Sequence, residues 1–322
     1  MVAGYWSFAE GYYRKDGLPT RHLDIIRLAL RPLKELYGQS PAAAFGPLKF
    51  RAIQQHLVAR GVSRNHAKQV GSIIKWAFKW AVSREIIPAT VHQALATVPG
   101  LKRGRSAARE PEPVGPVADH VVEATLLHVP VVVAAMVQFE RFTGARPGEL
   151  CSMRPCDVDR TTDPWTYRPE SHKTEHLGKT RIIYIGPRAQ DVLRPYLLRP
   201  ADAYCFSPAE SETKRKEEMR TRRKTPVQSS QLNRAKWHPR RMAGNQYDKD
   251  AYCRAVHRAV DRANAKAAKD AQARGDEPPI LIPHWHPNQL RHSAATEIRK
   301  TFGLEAAQVA LGHSQPPSCI RD

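Results

Sequence analysis

The sequence predicts a mainly α-helical chain with a small β-sheet in the second of two domains. Three observations support this prediction: apolar residues recur at helical spacing through the first hundred positions, a Pro-, Gly- and Arg-rich stretch follows, and short β-branched and aromatic segments come after residue 164. A chain of 322 residues is long enough to bury two hydrophobic cores. We therefore predict a helical domain over residues 1–97, a linker over 98–116 and an α+β domain over 117–322.

The helices of the first domain are predicted from their apolar stripes and their ends. A helix that ends at Gly38 carries apolar residues three and four positions apart, namely Leu23, Ile26, Leu30 and Leu33. A second helix is expected over residues 47–60. Ser63 is a good N-cap for a third helix, which runs to about residue 87 and stops before Pro88.

The net charge indicates a polyanionic partner. The chain has 51 Lys and Arg residues against 31 Asp and Glu, a formal charge of +20. Nucleic acid is the commonest polyanion, and a generally basic soluble protein is the alternative. No apolar run approaches the length of a membrane span, and the N-terminus lacks a signal pattern. We therefore expect a soluble, cytoplasmic protein, associated with the nucleoid if it is prokaryotic.

Basic residues of the first domain and the linker are candidates for contacts with phosphates. Lys68, Lys75 and Lys79 are seven and four positions apart, so they share one face of the third helix. A solvated face explains any single lysine, but three aligned lysines without an acid between them favour phosphate contacts. Lys102 and Arg103 in the linker extend this set.

The cysteines and histidines do not indicate a metal site. The five cysteines are scattered and form no CxxC pair, so we expect a reducing compartment and no disulfide framework. Cys151 and Cys156 could be half of a zinc site, but no second Cys/His pair at metal spacing accompanies them. His284 and His286 form an HxH pair, which is a weak signal alone. We therefore predict no bound metal.

The second domain contains a turn that places an arginine at a helix start. Two helices are expected between residues 117 and 142, the second of them buried on most faces. The sequence TGARPGEL (143–150) follows. Gly144 permits a tight turn and Pro147 suits the first turn of a helix. Arg146 is therefore expected at a helix N-terminus, where backbone N–H groups attract anions.

A β-hairpin and a basic insert are expected next. Residues 165–167 and 181–185 have strand composition, and the polar stretch between them carries Lys173 and Lys179. The polar residues of about 208–245 include the run KRKEEMRTRRK. We interpret this insert as a mobile basic loop.

The last predicted helices carry the remaining candidates. A helix from about residue 287 to 300 places Asn288 and Arg291 on one face. A short helix then ends at Gly312 and is followed directly by His313. Taken singly, each of these polar residues has an ordinary explanation as an ion pair or a cap.

Four blocks in this order resemble the tyrosine recombinase, or phage integrase, family. They are TGARPGEL (143–150), SHKT (171–174), NQLRHSAAT (288–296) and LGHS (311–314). The specificity lies in their order, and the resemblance extends over about residues 117–314. It implies a helical core-binding domain followed by an α+β catalytic domain. It also implies site-specific breakage and rejoining of double-stranded DNA through a 3′-phosphotyrosine, by dimers or tetramers assembled on the DNA.

The resemblance implies roles for individual residues. Arg146 and Arg291 would grip the non-bridging oxygens of the scissile phosphodiester, since guanidinium matches phosphate bidentately. Lys173 would protonate the leaving 5′ oxygen, with Lys179 as the second candidate and otherwise a DNA contact. His313 would hydrogen-bond the phosphate. No cofactor is required, because a protein–DNA ester conserves the energy of the phosphodiester.

The sequence departs from the family pattern in two places. The late-helix block usually reads HxxR, but Asn288 stands at the histidine position, and its amide cannot exchange a proton near neutral pH. The family nucleophile is a tyrosine about nine residues past the final histidine. Asp322 stands there, and no tyrosine follows Tyr252. We therefore expect a chain that is truncated or frameshifted after Ser314, or whose nucleophile comes from elsewhere, and that is inactive alone.

Two other functions stay open at this point. A non-catalytic DNA-binding protein derived from a recombinase would retain the basic surfaces and the phosphate pocket. An RNA-binding or ribosome-associated protein would share the charge, but it has no need of the ordered Arg–Lys–Arg–His blocks. These blocks therefore favour the recombinase.

Overall fold

The computed structural model describes residues 1–171, 180–226, 228 and 243–312. The chain divides into two compact units, Met1–Pro113 and Val114–Asp322, called unit 1 and unit 2 below. Unit 1 is helical apart from a two-stranded ribbon, and unit 2 combines helices with a three-stranded sheet. The predicted fold class, mainly α with a small sheet in the second domain, is confirmed.

Unit 1 is a helical bundle. Its elements are α1 (Val2–Tyr12), β1 (Arg14–Lys15), β2 (Leu18–Pro19), α2 (His22–Tyr37), α3 (Pro47–Ala59), α4 (Arg64–Ser83) and α5 (Ala89–Ala96). The helices α2, α3 and α4 lie close to their predicted positions. The Ser63 hydroxyl caps α4 by accepting from the His66 N–H at 3.4 Å. Helix α4 ends four residues early, because the Ile86 N–H bonds back to the Ala81 carbonyl. The ribbon, α1 and α5 were not predicted.

The residues predicted as a linker pack against unit 1 over much of their length. Val98 and Ala108 are buried. The Arg64 N–H donates to the Arg109 carbonyl at 3.0 Å, and the Arg64 guanidinium pairs with Glu110. The division between the units, after Pro113, falls inside the predicted linker of 98–116. These contacts hold the linker between Val98 and Glu110 despite a composition typical of an extended segment.

Unit 2 surrounds one buried helix. Its elements are α6 (Asp119–Leu126), α7 (Val131–Thr143), α8 (Pro147–Cys151), β3 (Val158–Asp159), β4 (Trp165–Tyr167), β5 (Ile183–Ile185), α9 (Pro187–Leu197), α10 (Pro208–Thr221), α11 (Lys249–Arg274) and α12 (Asn288–Leu311). As its composition predicted, α7 is buried on most faces, with Val132, Met136 and Phe139 inaccessible to solvent. The antiparallel sheet has the order β3-β4-β5, with Tyr167 opposite both Val158 and Ile183.

The interpretation of the basic insert as a loop is wrong for residues 208–221, which form helix α10. The Ser207 hydroxyl accepts from the Glu210 N–H at its start, and Pro208 occupies its first turn. Lys214 and Lys216 each pair with the glutamate four residues earlier, at 2.9 and 2.8 Å. Such pairs stabilise an exposed helix that has almost no apolar face. The insert's residues 227 and 229–242 lie outside the described residues.

Two helices of unit 2 position the residues discussed below. Helix α11 was not predicted; the Asp248 carboxylate caps it by accepting from the Ala251 N–H at 2.6 Å, and Gly275 ends it with a φ of 71°. Helix α12 is broken at Gly303, which has a φ of 87°. Its two segments correspond to the two late helices that were predicted, and Gly312 ends the second with a φ of 62°. Within the described residues, no helix is both long and apolar enough to cross a membrane.

Candidate active site

The turn between α7 and α8 holds Arg146 in a fixed position. Gly144 ends α7 in the left-handed conformation, with a φ of 61°, and its N–H donates to the Glu140 carbonyl at 2.8 Å. Arg146 then caps α8. The Arg146 backbone N–H donates to Glu149 Oε2 at 3.0 Å, and its guanidinium Nη1 donates to Glu149 Oε1 at 2.5 Å. The same carboxylate therefore fixes both the backbone and the side chain of Arg146.

Arg291 links three parts of unit 2. It comes from the first turn of α12 and is 7% exposed. Its Nη1 donates to the Gly144 carbonyl and its Nη2 to the Leu311 carbonyl, both at 2.5 Å. The guanidinium thus joins the Gly144 turn to the start and the end of α12. This placement brings Arg291 close enough to Arg146 for their charges to interact, although they are 145 positions apart in the sequence.

A third arginine, Arg181, belongs to the same cluster and was not among the sequence candidates. It is 4% exposed, its Nε lies 3.6 Å from Glu149 Oε2, and its Nη1 donates to the Ala310 carbonyl at 3.3 Å. Its Nε and Nη2 atoms are buried and find no hydrogen-bond partner among the described residues. Arg181 precedes β5, where the sequence showed only strand composition. The Arg181 guanidinium therefore keeps N–H groups that could donate hydrogen bonds to a ligand inside the site.

The cluster carries excess positive charge. Burial, together with the charges of Arg146 and Arg181, lowers the pKa of Arg291 to about 9. Burial alone would raise the pKa of Glu149, but the hydrogen bond from the Arg146 backbone and the charges of Arg181 and Arg146 lower it below the ordinary value. Burial raises the pKa of Glu140 well above its ordinary value, which favours the neutral carboxyl. Three guanidinium groups therefore face one ionised carboxylate.

A cleft of about 800 Å³ opens beside this cluster. Arg146 and Asn288 both line it. The structure therefore places the arginine of the TGARPGEL block near the asparagine that stands at the histidine position of the HxxR pattern. The lining also contains Pro147, Gly148 and Pro287, together with the polar side chains of Glu149, Ser152, Ser171, Lys249, Asp250, Cys253 and His286. Guanidinium, amide and hydroxyl donors around a concave surface suit a phosphate group, because each can hydrogen-bond its non-bridging oxygens.

Sequence comparison decides the relationship that the four blocks suggested. The profile of the phage integrase family matches residues 122–319, which is more than half of the chain. The chain belongs to the phage integrase family. No curated protein sequence matches this integrase-family chain.

Solved structures share the fold of this integrase-family chain. The lambda integrase (75–356) dimer bound to a COC′ core site has a TM-score of 0.64 at 16% identity, covering 99% of this chain and 95% of that one. The lambda integrase tetramer bound to a Holliday junction has a TM-score of 0.65 at 14% identity, covering 100% and 77%. The Tn1549 transposon integrase (82–397) with circular intermediate DNA has a TM-score of 0.58 at 15% identity, covering 98% and 92%.

The predicted site residues of the integrase-family chain fall into two groups. Arg146 and Asn288 line the cleft, and Arg146 and Arg291 belong to the arginine cluster beside it. Lys173, Lys179 and His313 lie outside the described residues. Glu149 and Arg181, which the sequence analysis did not single out, fix the cluster. Glu149 lies within the TGARPGEL block, three residues after Arg146, so the capping-box spacing could have indicated it.

The candidate DNA-contacting residues of unit 1 differ in exposure. Lys68, Lys79, Lys102 and Arg103 are exposed. Lys75 instead turns towards the protein: its Nζ donates to the Val98 carbonyl at 2.6 Å and lies 5.1 Å from the centre of the Phe50 ring. Burial lowers the pKa of Lys75. This ammonium group therefore holds the segment that follows α5, whereas the other four side chains are open to solvent.

We expect Lys75→Ala to act on stability and Lys68→Ala to act on DNA binding. Loss of Lys75 leaves the Val98 carbonyl without its donor and should reduce the free energy of unfolding by about 1 kcal/mol. Loss of Lys68 should leave stability unchanged and reduce the salt slope of DNA affinity by about 1. Denaturant unfolding and fluorescence anisotropy with duplex DNA measure the two effects. A salt slope that changes equally in both variants would contradict this division.

We expect Gly144→Ala to disrupt the site through its backbone. A Cβ at this position would lie 2.6 Å from Leu311 Cδ2 and 3.2 Å from Ala294 Cβ, and the φ of 61° is unfavourable for L side chains. The left-handed backbone and the overlap together should reduce the free energy of unfolding by at least about 2 kcal/mol. Gly148→Ala is the matched control, since its Cβ would meet no atom within 4 Å. Thermal denaturation should separate the two variants clearly; equal midpoints would contradict the tight packing of this turn.

Proposed function

We propose that this integrase-family protein is a site-specific recombinase of the tyrosine type, which breaks and rejoins duplex DNA at a phosphodiester held by its arginine cluster. The observation that supports the proposal best is the arginine cluster, in which Arg146 and Arg181 pair with the Glu149 carboxylate and the buried Arg291 feels the charges of all three. A cleft lined by Arg146 and Asn288 lies beside it. The excess positive charge complements a phosphate, and guanidinium groups present paired donors to its oxygens.

The cluster suits the transition state as well as the bound phosphate. When an oxygen attacks the phosphorus, negative charge grows on the non-bridging oxygens. Donors that are already fixed stabilise this charge without reorganising, and Arg146 and Arg291 are fixed by Glu149 and by two backbone carbonyls. Asn288 would contribute a hydrogen bond to the phosphate but no proton. Lys173 remains our candidate for the general acid, with Lys179 second, and His313 for a further phosphate contact.

Duplex DNA is the proposed partner, in assemblies from dimer to tetramer. The family members with this fold were solved as a dimer and a tetramer on DNA, and the charge of +20 serves the same purpose here. The exposed residues Lys68, Lys79, Lys102 and Arg103 are the proposed DNA contacts of unit 1. A cytoplasmic location, with the nucleoid as its site in a prokaryote, belongs to the same proposal.

One observation favours the alternative of a non-catalytic DNA-binding protein. All ten tyrosines of residues 1–322 lie among the described residues. Tyr252 is wholly buried and Tyr247 is 7% exposed, so neither hydroxyl is free to attack a phosphate in the cleft. A chain with this tyrosine set can bind a phosphodiester without cleaving it. A nucleophile supplied by another polypeptide would restore the recombinase function.

Binding to nucleic acid at several salt concentrations tests the proposal. We expect the affinity for duplex DNA to fall steeply with salt, with a log–log slope of roughly −0.9 per neutralised phosphate. Double-stranded RNA of the same length is the comparison, and a fivefold or greater preference for DNA is expected. Equal affinity for RNA and DNA, or affinity independent of salt, would overturn the proposal in favour of the RNA-binding or the generally basic protein.

A further inference from the structure

Three side chains with metal-binding atoms meet beside the cleft, and two of them, Cys253 and His286, line it. Cys253 and His257 are four residues apart on α11, so they lie on the same face of that helix. His286 comes from the segment before α12. The Cys253 Sγ lies 3.5 Å from His257 Nε2 and 3.2 Å from His286 Nδ1, and the three ligand atoms all lie within 4.8 Å of one another.

These separations match those around a tetrahedral metal ion. A Zn–S bond of about 2.3 Å and a Zn–N bond of about 2.0–2.1 Å, at a tetrahedral angle, place sulfur and nitrogen about 3.5 Å apart. Both sulfur–nitrogen distances already have this value within about 0.3 Å. The two imidazole nitrogens would have to approach to about 3.3 Å, a movement of at most about 1.5 Å that rotation of the rings can supply.

The segment that carries His286 is held against α11 independently of this cluster. Asn264 on α11 forms two hydrogen bonds with the Ile282 backbone, at 2.9 and 3.0 Å. The buried Trp285 donates through its indole N–H to the Thr125 hydroxyl at 3.1 Å. The His286 N–H donates to the Gln289 side chain at 2.9 Å. The third ligand is therefore fixed relative to the first two by contacts that require no ion.

A third histidine lies next to the cluster without serving as a ligand. His284 Nε2 lies 3.0 Å from the Asp261 carboxylate, and its ring meets the His257 ring edge-on at 4.9 Å. His284 therefore acts as a neighbour that restrains the His257 ring. Among the described residues, the cluster offers three ligands, and a fourth position in a tetrahedron is left for solvent from the cleft that Cys253 and His286 line.

We propose that Cys253, His257 and His286 bind one divalent ion of the zinc class. A thiolate and two imidazoles select Zn²⁺ and its close relatives, whereas Mg²⁺ and Ca²⁺ require oxygen ligands. The ion links α11 to the segment that leads into α12, and it adds positive charge to a cleft that Arg146 also lines. The metal-site proposal does not depend on the proposed recombinase function, because the experiment that tests it measures only metal binding.

Metal titration of the full chain tests the site. The protein is stripped with a chelator, titrated with Zn²⁺ alone, and analysed for bound metal after gel filtration. We expect one ion per chain, and at least a tenfold loss of affinity in Cys253→Ser and in His286→Gln. The matched controls are Cys156→Ser and His120→Gln, whose exposed side chains lie outside the cluster; they should bind as the unmodified chain does.

Cobalt spectroscopy identifies the ligands. Co²⁺ in the site should give a thiolate-to-metal charge-transfer band and the intense visible bands of four-coordination, and the charge-transfer band should vanish in Cys253→Ser but persist in Cys156→Ser. Circular dichroism of each variant checks that the fold is retained. His286 is exposed and Cys253 is half-buried, so both substitutions should be tolerated. Binding of less than one ion, equal affinity in Cys253→Ser and Cys156→Ser, or a cobalt spectrum without thiolate character would overturn the proposal.

Discussion

Arg146→Ala should weaken binding to a duplex that carries the recognition sequence by about 1–3 kcal/mol, or roughly five- to 150-fold, because a charged donor to phosphate is lost. Arg291→Ala should produce a loss of similar size. In an assembly that supplies a tyrosine, cleavage should fall further, by about 10²–10³-fold, since the donor acts mainly on charge that develops in the transition state. The recognition duplex is obtained by selection from random-sequence DNA, and affinity is measured by anisotropy.

The two substitutions should also be non-additive. In our proposal both guanidinium groups bind one phosphate, and the charge of Arg146 already influences Arg291 in the free protein. A double-mutant cycle should therefore give a coupling of at least about 0.5 kcal/mol. Arg146→Lys keeps the charge but loses the paired donors, so it should retain nonspecific DNA binding and lose cleavage.

Arg141→Ala is the matched control for charge. This neighbouring arginine pairs with Asp119 at 2.7 Å on the surface of unit 2, and its loss removes the same charge without touching the cluster. Arg291→Ala also leaves the Gly144 and Leu311 carbonyls without their donor, so its folded fraction must be measured by denaturant unfolding. The shared phosphate pocket would be refuted if Arg146→Ala cost no more affinity than Arg141→Ala and the cycle showed no coupling.

The 322-residue chain should form no covalent bond with a nicked suicide duplex. An attacking oxygen must come within about 3–3.5 Å of the phosphorus, in line with the leaving group. Burial raises the pKa of Tyr252 well above its ordinary value, and burial also raises the pKa of Tyr247. Tyr184 is 46% exposed, but it lies on β5 and does not line the cleft. Denaturing electrophoresis and mass spectrometry detect any adduct.

A supplied tyrosine should restore cleavage. We expect some activity from a variant in which residues 315–321 are replaced by a helix-forming segment and Asp322→Tyr is introduced. The same segment with Asp322→Phe is the matched control, because it differs only in the hydroxyl. An adduct from the unmodified chain, mapped to any of its own tyrosines, would disprove our assignment. Failure of the Asp322→Tyr variant on a duplex that it binds tightly would favour the non-catalytic DNA-binding protein.

Local sequence signals predicted the elements around the cluster but only part of its chemistry. The turn at Gly144, the helix start at Arg146 and the end of α12 at Gly312 follow from backbone preferences of single residues, and these can be read from sequence. Arg181 could not be found in this way, because its role depends on Glu149 and on the Ala310 carbonyl, which are distant in the chain. The local sequence around a buried arginine does not differ from that around an arginine exposed to solvent.

The errors at α10 and α11 share a physical cause. Both helices are polar over most of their length, so the apolar stripe that reveals a helix is short or missing. Helix α10 is instead supported by ion pairs four residues apart, and α11 by a carboxylate cap and a few buried residues near its start. Because α11 was not predicted, the sequence did not indicate that Cys253 and His257 share one helix face. The HxH pair of His284 and His286 was therefore considered without them.

The excess of guanidinium over carboxylate around Glu149 couples folding to the anions in solution. Like charges held together in the folded chain repel one another, and they separate when the chain unfolds. An anion that binds between them does so only in the folded state, so by mass action it raises the midpoint of unfolding as its concentration rises. Phosphate or sulfate should therefore stabilise unit 2 more than chloride at the same ionic strength. If the proposed function holds, a DNA phosphate takes the place of a missing counterion, and we expect the protein to be more stable when bound to DNA than when free.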